Sequence, residues 1–185
     1  MTPEAIGDLM VAAILADPTI AGTNIYAARD WPTWIDTMPI VLFDVADDDM
    51  TSMGRSAPQY TSISRIPLTA RVTAPSGDND AGAGVVRYAL GLMREKIKRA
   101  VINYTPLMTQ IQQITQINSQ MKSGASESRQ HVGELTMLFS VEHYRGTEDF
   151  NDVSGVSLNE IDISFLLKNA QDSSMSFAGG SLPIS

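Results

Sequence analysis

The chain contains no cysteine. That removes a disulfide framework, a thiolate zinc site and a cysteine nucleophile from consideration. Histidine is almost as scarce. The two present, His131 and His143, form no HExxH pair, and no GxSxG stretch supplies a serine nucleophile elbow. No apolar run approaches the roughly 18 residues that a transmembrane helix needs. The start, Met1-Thr2-Pro3-Glu4, lacks the basic segment of a signal peptide, so synthesis in the cytoplasm is expected. Basic residues are outnumbered, 13 against 21 acidic, for a net charge of −8. General attraction to nucleic-acid phosphates, which needs clustered Lys and Arg, is therefore not expected.

What remains is a foldable chain. Its 185 residues are 43% hydrophobic and 18% charged, which suits one domain with an extension. A chain of this length buries roughly two-thirds of its unfolded surface. Thr2-Pro3 reads as an N-cap followed by proline at the first helical position. Ile6, Leu9, Met10, Ala13 and Ile14 then recur on one helical face until Asp17-Pro18. Residues 19–38 read as a connection carrying Trp31 and Trp34. Residues 39–45 form a strand whose continuous apolar run suggests two covered faces. Residues 46–59 read as a long polar loop. Ile66, Leu68, Ala70, Val72 and Ala74 alternate with polar residues as a half-buried strand does. Pro67 within it marks an edge or a bulge, because it cannot donate to the ladder.

A long helix is expected over 80–102, with Val86, Ala89, Leu90, Met93, Ile97, Ala100 and Val101 as its apolar stripe. Residues 103–130 are ambiguous. Ile111, Ile114 and Ile117 are spaced for a helix, while the Gln, Thr and Asn content suits a strand equally well. Leu135, Met137, Phe139 and Val141 mark one later strand, and Ile161, Ile163, Phe165 and Leu167 another. The expected fold is α+β: a mainly antiparallel sheet of about four to five strands, with two main helices packed on one face. Residues 1–169 form the domain, and 170–185 a flexible tail.

The stretch "FDVADDDM", residues 43–50, is the most suggestive for chemistry. Asp44, Asp47, Asp48 and Asp49 could ligate a hard cation, the basis of an alternative reading as a metal-dependent enzyme. The EF-hand pattern fails, however. Counting from Asp44, the sixth residue is Asp49 rather than Gly, and the twelfth is Arg55 rather than Glu. Gly82-Ala83-Gly84 opens a helix after a strand, but Arg87 stands where a dinucleotide loop needs its third glycine. The basic group Arg94, Lys96, Lys98 and Arg99 ends a helix, where it complements the dipole. A nucleic-acid module built on it remains a further alternative. No cofactor and no catalytic residue is expected, and the balance favours a structural or interaction protein.

The order of elements resembles the tail terminator proteins of long-tailed bacteriophages, also called minor tail protein U-like or tail completion proteins. An amphipathic first helix precedes "NIYAARDWP" (24–32), similar to the family's segment in which Tyr and Arg lead into the first strand. "MPIVLFDV" (38–45) resembles its Pro-led strand ending in an acidic, variable loop. "IPLTARVTA" (66–74) leads to the helix "GVVRYALGLMREKIKRAV", and "GELTMLFSVEHYR" (133–145) resembles the closing strand. The resemblance covers most of residues 3–146.

The resemblance implies a non-enzymatic virion protein, placed at the head-proximal end of the tail. Six copies would form a ring that caps the tube, stops polymerisation of the tube protein and offers a surface to the head–tail connector. A related connector or stopper at the neck is the alternative. DNA would pass through without specific binding, and no membrane is involved. Six copies at −8 each would carry −48. Asp47, Asp48 and Asp49 are then expected to face the lumen or the tube, and replacing all three is expected to spare the monomer's fold. Trp31, Trp34 and Pro67 are expected at the subunit interface.

Overall fold

The computed structural model describes residues 1–22, 24–27, 37–44, 47–55, 59–75, 81–125 and 130–150. All of these belong to the unit Met1–Phe150. Trp31, Trp34, the strand expected over 161–168 and the tail from 170 lie outside the described residues.

Helix α1 spans Pro3–Leu15. The Thr2 hydroxyl accepts from the Ala5 N–H at 3.3 Å, and Pro3 occupies the first turn, where a missing N–H costs nothing. Ile6, Met10, Ala13 and Ile14 are buried, and Leu9 packs at the margin of the core. The chain turns after the helix at Gly22, whose φ of 60° is left-handed and free of strain in glycine. Strands β1 (Ile25–Tyr26), β2 (Ile40–Phe43), β3 (Asp47–Ser52) and β4 (Tyr60–Pro75) follow. Then come α2 (Ala81–Ile102), the short α3 (Thr105–Met108), β5 (Gln113–Ala125) and β6 (Gln130–Arg145).

The fold is α+β. Six strands form one sheet in the order β1-β2-β4-β6-β5, with β3 also paired to β4 beyond β2. Only β1 and β2 pair in parallel. The centre of the sheet is β4 against β6, antiparallel strands of 16 residues each. Their burial alternates, with Ser140 in β6, buried between Phe139 and Val141, as an exception. Ile66, Leu68, Ala70 and Val72, with Leu135, Met137, Phe139 and Val141, face the helices. The intervening residues, Thr69 and Arg71 among them, lie half-buried on the other face, here termed the open face. Helix α2 closes the core with Val86, Leu90, Met93, Ile97 and Val101. It comes so near β6 that a Cβ on Gly133 would overlap the Val86 side chain. Glycine at 133 is therefore a packing requirement.

Two sequence expectations are corrected and one ambiguity is resolved. Residues 46–59 are not one long loop. They hold β3, Met53 N–H donates to the Gln59 carbonyl at 2.9 Å, and β4 begins six residues before Ile66. The ambiguous stretch resolves into α3 and β5. Thr115 is the extra residue of a bulge, so Ile114 opposes Val141 and Ile117 opposes Phe139 on the same face. That bulge makes a strand carry a spacing of three.

Pro67, finally, lies in an interior strand and not on an outer edge. Its carbonyl accepts from Asp44 N–H at 3.1 Å. Its ring nitrogen points the same way, toward the side on which β2 and β3 lie.

Candidate functional site

The acidic stretch is part of the sheet. Asp48 opposes Ser64, Asp49 opposes Ile63 and Asp47 opposes Arg65. Because side chains alternate along a strand, Asp47 and Asp49 project on the open face and Asp48 on the helix side. The three carboxylates therefore diverge. Among the described residues no group of three or more His, Asp or Glu converges as a cation site would require. Asp49 pairs with Arg65 at the surface. Asp47 is exposed.

Asp48 belongs to a polar cluster at the end of the core. The Ser62 hydroxyl donates to Asp48 Oδ1, and Arg145 Nη1 donates to Oδ2 at 3.3 Å. Beside them, Ser64 Oγ lies 2.9 Å from His143 Nε2. Ser62, Ser64 and His143 are fully buried. They continue the helix-side rows of β4 and β6, where the apolar residues stop. Burial holds the His143 imidazole below its ordinary pKa. The Asp48 carboxylate opposes that shift, while the terminal amine and Arg145 reinforce it. Arg145 also lies over the Phe150 ring, 4.6 Å from its centroid, and Phe150 meets Tyr60 edge-on. Asp149 accepts from the Met1 amine at 2.5 Å, which holds its carboxyl below the usual range.

A serine and a histidine in hydrogen-bond contact invite comparison with a nucleophile and its base. The rest of that arrangement is not met. Asp48 is committed to Ser62 and Arg145, and among the described residues His143 Nδ1 is buried without a hydrogen-bond partner, so no described carboxylate orients the ring. Oγ and Nε2 are sealed in the core. This cluster can fix the register of β3 on β4 and of β4 on β6, and it offers no access to a substrate.

The other sequence candidates are also placed. A Cβ on Gly82 would come within 2.5 Å of the His131 ring and 2.6 Å of the Pro75 carbonyl. Gly82 thus lets α2 start against the strand ends, while Gly84 faces open space. The basic group on α2 is largely engaged within the chain. Arg94 and Lys98 pair with Glu95 at 2.9 and 3.3 Å, and Lys96 donates to the Thr19 carbonyl at 3.0 Å. Phosphate would compete with those partners.

Sequence reading missed the outer edges of the sheet. Among the described residues, β3 pairs only with β4 and β1 only with β2 on one side, and β5 pairs only with β6 on the other. Beside β5, helix α2 leaves Tyr88 70% exposed, with Val85 at 57% and Leu92 at 47%. Tyr88, Leu92 and Met121 line a shallow groove flanked by Arg87 and Arg94. Met50 and Met53 are similarly exposed at the β3 end. Extending the alternation of β4 back to Ser62 would have exposed the first edge. The second needed the strand assignment of 113–125. Comparison with protein-family models and with curated proteins finds no match to this chain.

Proposed function

We propose that the chain is a structural protein of a bacteriophage particle, whose copies close head to tail into a ring, six in number, that caps the tail tube. The ring ends tube polymerisation and forms the tail side of the head–tail joint. No bond is made or broken, and no cofactor is required. The tube protein and the head–tail connector are its partners, and its place is the head-proximal end of the tail, after synthesis in the host cytoplasm.

The observation that carries this reading is a pair of unlike open edges on one sheet. β3 is six residues long with three aspartates, and β5 is thirteen residues long with a single lysine. A ring needs such a heterologous interface, because each subunit must offer one surface to its left and a different one to its right. The open face of the sheet suits a lumen through which DNA passes. Among its described residues Arg65 pairs with Asp49 and Arg71 with Glu134, and Asp47 and Glu142 add negative charge that exceeds the single positive charge of Lys122. Phosphate would be repelled there and not held.

Electron microscopy of particles made without this gene tests the proposal. Tails of uncontrolled length, unattached to heads, are the expected result. Tails of normal length beside full, unjoined heads would move the chain to the connector side of the joint. Normal joined particles would refute both assignments.

A further inference from the structure

The two open edges match one another in a single register. β3 and β6 both run antiparallel to β4, and β5 runs antiparallel to β6. β3 and β5 therefore point in opposite directions. Copies related by rotation about one axis keep the inclination of every strand to that axis. A β3 brought beside the β5 of the next copy would thus pair with it antiparallel, the arrangement that favours direct side-chain pairs.

The faces fix the rest. Met50 opposes Ser62 and lies on the helix side, as does Met121, which opposes Leu135. Asp49 and Lys122, opposing Ile63 and Glu134, lie on the open side. In an antiparallel pair the two residue numbers have a constant sum. The register that sets Met50 opposite Met121 also sets Asp49 opposite Lys122, the one charged residue of β5. It lays Met50 toward the exposed Tyr88–Leu92–Met121 groove as well. Apolar contact on one face and opposite charge on the other thus come from one alignment. Two β3 edges would instead bring together three aspartates from each strand, with no basic residue on either.

We propose that β3 of one copy adds to β5 of the next, antiparallel, with Met50 opposite Met121 and Asp49 opposite Lys122. This rests on the ring reading above and names the contact that builds the ring. The occupant of each edge is a second copy of this chain.

Because the protein has no cysteine, introduced ones report without background. Met50→Cys and Met121→Cys chains, full length and mixed in equal amounts, are oxidised mildly and resolved without reductant. Directly opposed strand residues have Cβ atoms about 4.5–5.5 Å apart, which a small backbone shift brings within disulfide range. The expected product is the 50–121 heterodimer, in excess over either homodimer. Pairing Met50→Cys with Gln120→Cys, on the other face of β5, should link poorly. Lys122→Glu should lower the heterodimer yield by about fivefold, and Asp49→Lys in the partner chain should restore it.

A chain carrying both cysteines separates the contact from the ring. A ladder ending at a closed species upholds both. A ladder without end upholds the contact and refutes the ring. A ring seen by native mass spectrometry of the unsubstituted protein, without a 50–121 link, refutes the contact alone. Predominant homodimers, or no link and no oligomer, overturn the proposal.

Discussion

Three adjacent aspartates should differ sharply in what they contribute to stability. In a solvated loop, Asp47, Asp48 and Asp49 would be equivalent. In the strand they are not. Asp48→Ala would remove the acceptor of the Ser62 hydroxyl and the counter-charge of Arg145. Breaking a fully buried ion pair from one side costs about 3–5 kcal/mol. This pair keeps some solvent contact, with Asp48 19% and Arg145 12% exposed, which lowers that figure. The orphaned Ser62 hydroxyl, buried in the core, adds about 1 kcal/mol. The net expectation is a loss of about 2–4 kcal/mol. Asp49→Ala breaks only a surface pair with Arg65, worth up to about 1 kcal/mol. Asp47→Ala, at an exposed site, should stay within about 0.5 kcal/mol of the parent. Asp48→Asn, which can still accept from Ser62, should fall between the extremes. Urea unfolding of the purified chain measures the series, with an unchanged m-value confirming that the midpoints compare stabilities. If Asp48→Ala and Asp49→Ala came within about 0.5 kcal/mol of each other, the strand placement and the cluster would both be wrong. The same reasoning revises the sequence expectation that all three can be replaced without touching the fold. Only Asp47 and Asp49 are free to report on assembly.

Gly133→Ala should cost about 1–3 kcal/mol by overpacking against Val86, and Gly82→Ala a similar amount. Gly84→Ala, in open space within α2, should stabilise by up to about 1 kcal/mol. Thermal melts would check that ordering, and a destabilising Gly84→Ala would refute it. The native imidazole of His143 resists a proton that the unfolded chain accepts near its ordinary pKa of 6.5. The unfolded state then binds more protons, so stability should fall as pH drops below that value, and His143→Gln should flatten this part of the profile. Deleting Thr115 removes the bulge residue without altering any pairing on either side of it. Circular dichroism and urea unfolding should show a folded chain that has lost less than about 1.5 kcal/mol, the worth of its hydrogen bond to the Ser140 carbonyl.

The parts of this fold that were legible in sequence are those where one periodicity runs unbroken. Helices α1 and α2, and the stretch from Ile66 to Ala74, carry a regular apolar repeat because one face meets a core of uniform chemistry. Legibility stopped where the chemistry of that face changed. The helix-side row of β4 passes from Ile66 to Ser64 and Ser62, and that of β6 passes from Val141 to His143. A reader following hydrophobicity ends both strands early and takes the Asp47–Asp49 strand for a loop, since its partners, Ile63 apart, are polar too. β5 was obscured by its bulge. The candidate contact was hidden for a different reason. Met50, Asp49, Met121 and Lys122 are unremarkable in composition, and their relation lies in the pairing register of the strands, which no local window contains.

The distribution of charge over the two edges bears on why such a sheet would assemble in order. An exposed edge strand is a template for indiscriminate pairing, and proteins commonly guard it with charge. Here the guard is one-sided. β3 carries its aspartates on both faces, so two β3 edges repel, while β5 offers Gln, Asn and Ser with one lysine. The permitted pairing is between unlike edges, and a contact between unlike edges cannot be satisfied by a pair of copies. In the proposed assembly, each copy that joined would leave one β3 and one β5 unfilled, so addition would continue until rotation brought the last β5 to the first β3. In the proposed ring, closure would be the only state in which every β3 and every β5 edge is paired, and the lumen would be bounded by an open face on which Arg65 and Arg71 are already paired with carboxylates. Sealing the histidine and serines into the end of the core fits the same logic. They hold β3 in register on β4, and the register of β3 decides which of its residues meets the neighbour.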